Sequence, residues 1–357
     1  MKRFLATLVV LTMCFAMGSA VAETLRVGVS MPTQSLQRWN QDALYLTENL
    51  EAAGYEVDLQ FADNDATLQL SQVENMIANG ANAIVITAVE ASSLGTAMDL
   101  ALQMGVPVIA HDRLIVNTEA LSYYASFDNY KVGMVQGQFL IDALGLAEGN
   151  GPFNMEIIAG DPGDTNAGYF YAGAMDLLTP FIENGQLVVP SGQTAFDVVA
   201  TPTWATPVAQ ARFDTIIAGY YTTGEELHAV LCSNDSTAMG AINALTNAGF
   251  TEDNWPFITG QDCDKANMQY IVSGKQAMSV FKDTRTLAAR TLSMVKAVLE
   301  GSEPEVNDTT TYDNGVKIVP SFLCEPVFGS AANYVELLID TGYYIEIDGE
   351  FFTQDDL

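Results

Sequence analysis

The residues best placed for chemistry lie at the end of one short apolar strand. The segment GVPVIAHDR, residues 105–113, runs from a turn through Pro107 into a predicted buried strand and ends in Asp112 and Arg113. In an open α/β sheet, ligands bind beyond the carboxyl ends of the strands. A carboxylate beside a guanidinium offers acceptors next to a planar fork of donors, which suits vicinal hydroxyl groups as well as ions. The pair therefore indicates a binding site for a small polar molecule. The alternative is that the two residues form a salt bridge without a ligand.

Two tryptophans suggest that this molecule is a sugar. Arg38 and Trp39 begin the first predicted helix, near the same sheet edge, and Trp204 lies between prolines in TPTWATP, outside regular structure. An indole covers the apolar C–H face of a pyranose while charged groups bond its hydroxyls. The alternative is that both indoles are core residues, with Trp39 packing its helix onto the sheet.

Polar residues follow further predicted strands at the same end. Asn166 comes after GDPGD, where it either caps the next helix or faces a ligand. One of Asn234 and Asp235 caps a helix while its neighbour faces a cleft, and Lys282 in FKDTR is either a ligand contact or a surface lysine. Gln261 and Asp262 form a similar pair in TGQDC. A cleft between two lobes would collect all of these side chains.

The elements that carry these residues alternate between short apolar strands and longer amphipathic helices. The first series predicts strands at residues 25–31, 55–61, 83–87 and 107–110, with helices at 36–53, 66–79 and 92–104. A second series of similar size runs from residue 153 to residue 281, followed by a helix at 287–299 and a late strand at 315–321. Continuous Val/Ile runs predict parallel strands buried on both faces. The fold class is α/β, with two similar lobes.

The amino terminus predicts export. Lys2 and Arg3 precede an apolar run and a small-residue site ending at Ala22, the pattern of a cleaved signal peptide at residues 1–22. Removing 22 of 357 residues leaves 335, which fits two domains. Losing two basic residues takes the formal charge from −30 to −32. Such a charge repels nucleic acid and anionic lipid surfaces.

Three cysteines remain after processing, which excludes a fully paired set. Cys232 and Cys263 each follow a predicted strand, so their sulfurs would meet if those strands were neighbours. The alternative is three small, partly buried thiols, with Cys324 as the third.

Several motifs resemble one family closely. They are MPTQSLQRWN, IAHDRLI, YYASFDNYKVG, GPFNMEIIAGDPGDTNA, GQDC, FKDTRTLA and EPEVNDTTTYDNGVKIVPS, and they span the mature chain. They are similar to the periplasmic multiple-monosaccharide-binding proteins of the ChvE type, within the wider class of xylose-, ribose- and galactose-binding proteins. Small non-cysteine residues are expected in that family at Cys232 and Cys263, and this departure favours a local disulfide.

The resemblance implies a type I periplasmic binding fold, with two doubly wound lobes joined by three hinge crossings near residues 128–131, 282–284 and 318–321. The first lobe would comprise residues 23–130 and 283–319, and the second 131–282 and 320–357. By motif position the resemblance implies that the sugar contacts are Arg38, Trp39, Asp112, Arg113, Asn166, Trp204, Asn234 or Asp235, Asp262 and Lys282.

The function that follows is capture of an aldopyranose in the periplasm and its delivery to an ABC permease. The same closed form could be read by a chemoreceptor or sensor kinase, which is the first alternative. An enzyme is disfavoured because the chain has only two histidines and no nucleophile elbow, phosphate loop or zinc-spaced ligand set. A DNA-binding repressor is disfavoured by the signal and the charge. We expect a monomer without cofactor or metal.

Overall fold

The structure is a computed structural model that describes residues 24–222, 224–353 and 356, so the predicted signal peptide lies outside the described residues. In chain order the strands are β1 (Arg26–Met31), β2 (Glu56–Phe61), β3 (Ala83–Ile86), β4 (Val108–His111), β5 (Leu121–Phe127), β6 (Phe153–Ile158), β7 (Leu187–Val188), β8 (Ala229–Cys232), β9 (Phe257–Ile258), β10 (Ser279–Phe281), β11 (Ser321–Cys324), β12 (Val327–Gly329), β13 (Ile345–Ile347) and β14 (Glu350–Phe352).

The helices are α1 (Gln37–Ala52), α2 (Ala66–Ala78), α3 (Gly95–Met104), α4 (Asn129–Leu144), α5 (Thr165–Glu183), α6 (Phe196–Val199), α7 (Thr206–Tyr220), α8 (Asp235–Asn247), α9 (Met268–Val272) and α10 (Thr284–Glu300). Shorter turns of 3₁₀ or π helix lie at Pro202–Trp204, Glu252–Asn254, Lys265–Asn267 and Val335–Ile339. Among the described helices, none has the length and apolar character that a membrane span requires.

The first lobe is built on six parallel strands in the order β11–β5–β4–β3–β1–β2. Alternate residues of β3 enter two different cores: Ile84 and Ile86 pack with α2 and α3, while Ala83 and Val85 pack with α1 and α10. A strand buried on both faces needs apolar residues at every position, which explains its continuous AIVI sequence. The predicted doubly wound α/β class is confirmed.

The second lobe repeats the plan with four parallel strands in the order β7–β6–β8–β9. Helices α4 and α5 cover one face, and α7 and α8 cover the other. Strand β10 joins the edge through a single parallel bridge between Gln261 and Val280, and it pairs antiparallel with β12. The carboxyl ends of both sheets face the gap between the lobes, because polar residues from both line one cleft.

The third crossing lies later than the resemblance implies. Residues 321–324 form β11, which pairs in parallel with Tyr124–Phe127 of β5 in the first sheet. The chain therefore enters the second lobe between Cys324 and Val327, and the boundary placed at residue 319 or 320 is wrong. On this topology we propose lobes of residues 24–128 with 284–324, and 129–283 with 327–353.

The late strand predicted at residues 315–321 is displaced for a local reason. The side-chain oxygen of Asn314 accepts hydrogen bonds from the backbone N–H groups of Val316 and Lys317, and Gly315 has a φ of +85°. These bonds fold the segment into a tight turn, so extended pairing begins only at Ser321.

Helices α4 and α5 cross so closely that two glycines meet the opposite backbone. A Cβ atom on Gly173 would lie 2.0 Å from the carbonyl oxygen of Tyr130, and one on Gly133 would lie 2.0 Å from that of Phe170. Real Cβ atoms do not approach oxygen this closely, so the helices would have to separate.

We expect Gly173→Ala to lower the free energy of unfolding by about 1–3 kcal/mol, the usual cost of overpacking. Gly168→Ala is the matched control on the same helix: its Cβ would meet nothing within 4 Å, so helix propensity alone should stabilise it by up to about 1 kcal/mol. Urea denaturation measures both. Equal stability of the two variants would contradict the close-packing explanation.

The prediction of a possible disulfide between Cys232 and Cys263 is wrong. All three described cysteines are free and buried. The Cys232 side chain belongs to the core between β8, α7 and α8, whereas Cys263 packs with Phe281 and the carboxyl-terminal segment. The two thiols lie in different cores because the chain turns between β9 and Cys263. Burial raises the pKa of Cys263 and of the other two thiols, which keeps them protonated and unreactive.

A reducing agent should therefore leave the melting temperature unchanged. Mass spectrometry after alkylation in denaturant should find the three thiols of the mature chain modified without prior reduction, and alkylation of the folded protein should be slow. A mass two hydrogens lower than that of the fully reduced chain would show that the disulfide forms and would contradict this prediction.

Candidate sugar-binding cleft

One cleft between the lobes gathers most of the residues that the sequence singled out. Its lining includes the predicted contacts Arg38, Trp39, Asp112, Arg113, Asn166, Trp204, Asn234, Asp262 and Lys282. The residues that sequence reasoning left out of its predicted contacts are Leu36, Asp164, Phe170, Gln261 and Asp264.

Arg38 is the centre of the charged wall. Its Nε lies 3.1 Å from Asp42 and its Nη1 lies 2.9 Å from Asp262, and its second terminal nitrogen contacts Asp112. Burial lowers the pKa of Arg38, but the three carboxylates outweigh burial, so the net shift is well upward. Because α1 belongs to the first lobe and Asp262 to the second, one guanidinium ties both lobes together.

Asp112 owes its position to an unusual backbone. Its φ of +62° is left-handed, and its carbonyl oxygen accepts hydrogen bonds from the Tyr124 and Ser126 hydroxyls at 2.5 and 2.8 Å. A third bond comes from the Asn166 amide at 2.8 Å, across the gap from the second lobe. Burial alone would raise the pKa of Asp112, but Arg38 and other nearby cations lower it on balance. Its carboxylate is therefore ionised.

Arg113 lies beside Asp164, with Nε 2.9 Å from the carboxylate, and it donates to the Ala88 carbonyl at 3.0 Å. Its guanidinium is also 5.0 Å from the centre of the Trp39 ring. Asp164 caps α5 by accepting from the backbone of Asn166 at 2.9 Å, so Asn166 is not the cap. The cap could have been predicted from the motif GDPGD, whereas the ion pair that makes Asp164 a site residue depends on a partner distant in the sequence.

Lys282 is 3% exposed and therefore is not the surface lysine of the alternative interpretation. Its Nζ lies 3.1 Å from Asp262 and about 5 Å from the Phe170 ring. Asp262 thus shares its charge between Lys282 and Arg38, and its φ of +95° again places a site carboxylate on strained backbone.

Both tryptophans reach the cleft. Trp39 and Trp204 are each 4% exposed, and neither indole N–H has a hydrogen-bond partner among the described residues. The Trp204 ring lies directly over Gly160, where a Cβ would be 1.9 Å from the ring, and its backbone has a φ of +57°. Buried polar groups without partners are rare, so each indole brings an unused donor to the cleft.

Asn234 and Asp235 have different roles. Asn234 lines the cleft and also caps α8 in a capping box with Thr237. Asp235 is fully buried behind the cleft, where its carboxylate accepts from Gln276 at 2.6 Å and Ser279 at 2.8 Å. Of the two alternatives, the structure favours Asn234 at the cleft, because Asp235, the first residue of α8, turns its side chain inward.

Comparisons with known proteins agree with this geometry. Residues 27–303 match the periplasmic binding protein domain, and the chain belongs to that family. It is 44% identical to the multiple sugar-binding periplasmic receptor ChvE of Rhizobium radiobacter, over 92% of this chain and 94% of the receptor. It is 32% identical to the D-xylose-binding periplasmic protein of Escherichia coli, over 95% and 98%.

A solved ABC transporter solute-binding protein from Clostridium phytofermentans, with β-D-glucose bound, is 58% identical with a TM-score of 0.88, covering 90% of this chain and 98% of that one. The predicted membership of the sugar-binding branch is confirmed. The family is one of binding receptors, which confirms the expectation that the chain is not an enzyme.

We expect Arg38→Gln to lower the free energy of unfolding by about 3–5 kcal/mol at pH 7, because it leaves buried carboxylates without their cation. The folded pKa of Asp112 lies below its ordinary value near 4, so its pairing stabilises the fold above about pH 4 and is lost as the pH falls below that. The deficit should therefore shrink in acid. Urea denaturation across pH tests this, with the exposed Arg26→Gln as the control. A deficit that is independent of pH would contradict it.

Proposed function

We propose that the chain is the solute-binding component of an ABC transporter and binds an aldopyranose monosaccharide in the interlobe cleft, with glucose, galactose, xylose and arabinose as the candidate ligands. The observation that carries this is the combination of two indoles with unpartnered N–H groups and charged, fork-shaped donors and acceptors in one small cleft. Each sugar hydroxyl can both donate and accept a hydrogen bond, so it suits a guanidinium beside a carboxylate. The apolar C–H faces of a pyranose suit stacking against an indole ring.

Binding should work by hinge closure. Arg38 with Asp262, Arg113 with Asp164, and Asn166 with Asp112 all join one lobe to the other. These contacts form only when the lobes are close, and a bound sugar adds hydrogen bonds to both walls. The sugar therefore shifts an existing equilibrium toward the closed form.

The closed form would then dock on the permease subunits and release the sugar there. We propose a periplasmic location, since the relatives are periplasmic and the predicted signal peptide directs export. The monomer remains a prediction. Relatives described as ABC transporter components favour transport over the sensing alternative with a chemoreceptor or sensor kinase.

A thermal-shift series with glucose, galactose, xylose, arabinose, fucose and ribose should raise the melting temperature for at least one aldopyranose, because the ligand binds only the folded chain. Calorimetry with the best sugar should then show that Arg113→Ala weakens binding by about 1.5–3 kcal/mol, or roughly ten- to a hundredfold, the scale of charged hydrogen bonds.

Arg26→Ala removes an equivalent side chain from an exposed pair with Glu56 and should leave the affinity unchanged. Intrinsic fluorescence should also change on sugar addition, since Trp39 and Trp204 line the cleft. If a folded Arg113→Ala variant bound the sugar with wild-type affinity, Arg113 would not be a ligand contact. A wild type that binds none of the sugars would contradict the proposed function.

A further inference from the structure

The loop that follows β9 presents two acceptor groups to the cleft without partners. Gln261 is 1% exposed, lines the cleft and has a buried Oε1 without a hydrogen-bond partner among the described residues. Three residues on, Asp264 also lines the cleft, and its carboxylate forms no hydrogen bond or ion pair within the described part of the chain. Two unpartnered acceptors that line the same cleft call for a ligand with several donors.

The charged side chains around the cleft also carry an excess of negative charge. Each of its three cations already contacts a carboxylate: Arg38 contacts three, Arg113 contacts Asp164 and Lys282 contacts Asp262. Asp264 is the lining carboxylate that has no such contact among the described residues. The cations are Arg38, Arg113 and Lys282, and the carboxylates are Asp42, Asp112, Asp164, Asp262 and Asp264. The carboxylates in this set outnumber the cations by two, so the negative charge of the cleft would compensate a cationic ligand.

Without that cation the Asp264 carboxyl binds a proton readily. Burial raises its pKa to about 7, the neighbouring Asp262 adds to the rise, and Arg38 and Lys282 oppose it. The ionisable groups facing it are Arg38, Asp235, Asp262, Cys263, Lys282 and Tyr344. The group thus lies close to the balance between its charged and neutral forms at neutral pH.

We propose that Gln261 and Asp264 form a subsite for an ammonium group, through which the cleft binds protonated amino sugars as well as neutral monosaccharides. An ammonium carries three N–H donors and a positive charge, so it can donate to the Gln261 oxygen and to the Asp264 carboxylate and also compensate the charge of that carboxylate. A hydroxyl supplies one donor and no charge. This inference rests on the proposed function, because it takes the ligand to be a monosaccharide.

The two ligand classes differ in their proton balance. When the lobes close on a neutral sugar, the burial that raises the pKa of Asp264 to about 7 increases, so this pKa is higher in the closed form than in the open one. At pH 6 the closure therefore takes up part of a proton, and the affinity for neutral sugars falls as the pH rises toward 7. An amino sugar brings its own positive charge, so Asp264 stays ionised and no proton is taken up.

The test is calorimetry at pH 6 with D-glucose and with the 2-amino, 3-amino and 6-amino deoxy derivatives of glucose. Each titration is run in two buffers of different ionisation enthalpy, which gives the number of protons taken up by the wild type without any variant. We expect measurable proton uptake with glucose and almost none with at least one amino derivative that binds. Equal uptake for both classes would overturn the subsite.

Asp264→Asn removes the charge and keeps the shape of the side chain. It should weaken the amino sugar at least tenfold, the scale of a charged hydrogen bond. It should also abolish the proton uptake with glucose and strengthen glucose binding, because the amide needs no proton when the cleft closes. Asp214→Asn removes the same charge from an exposed position on α7 and should change neither. The subsite is also overturned if a wild type that binds glucose binds no amino derivative, or if Asp264→Asn weakens both ligands equally. Failure of glucose itself to bind would instead contradict the proposed function, and with it the subsite.

Discussion

The cleft depends on how its buried charges are compensated. Arg38 from the first lobe meets Asp262 from the second, which Lys282 also contacts. If the lobes parted, water would replace these partners. The free energy that closure gains from ion pairing is therefore largely offset by the loss of hydration, since buried pairs are close to neutral overall. A hinge near balance is one that the hydroxyl groups of a bound sugar can shift decisively.

Left-handed backbone angles place two of the cleft carboxylates within reach of the cations that compensate their charge. Asp112 and Asp262 both have left-handed φ values, at 62° and 95°, and Trp204 has one of 57°. Glycine would adopt these angles more easily, but only a side chain provides the carboxylate or the indole. Each strained residue follows or lies near a strand end, so the cost of roughly 1–3 kcal/mol per residue is met by the rigid sheets behind it.

Sequence reasoning recovered the parts of the fold that local pattern determines. The AIVI run of β3 and the alternation of strands with helices predicted a parallel α/β fold with two similar lobes. Nine of the cleft residues were implied by the family resemblance together with the polar residues after the strands. What escaped depended on distant partners. Asp164 is a site residue because Arg113 lies opposite, and β11 begins at Ser321 because Asn314 turns the preceding segment back. Leu36 and Phe170 could not be told from core residues by type alone.

Asp235 shows how a residue outside the cleft can still determine it. Three successive backbone N–H groups in the loop after β9 each donate a hydrogen bond. Those of Asp262 and Cys263 donate to the Val280 carbonyl and the Ser279 hydroxyl. That of Asp264 donates to the Asp235 carboxylate at 2.8 Å. Ser279 also donates to Asp235, so one buried carboxylate fixes both ends of the strained segment. Without this support the left-handed angles at Asp262 and Cys263 would relax. The carboxylate of Asp262 would then leave the position in which Arg38 and Lys282 share it.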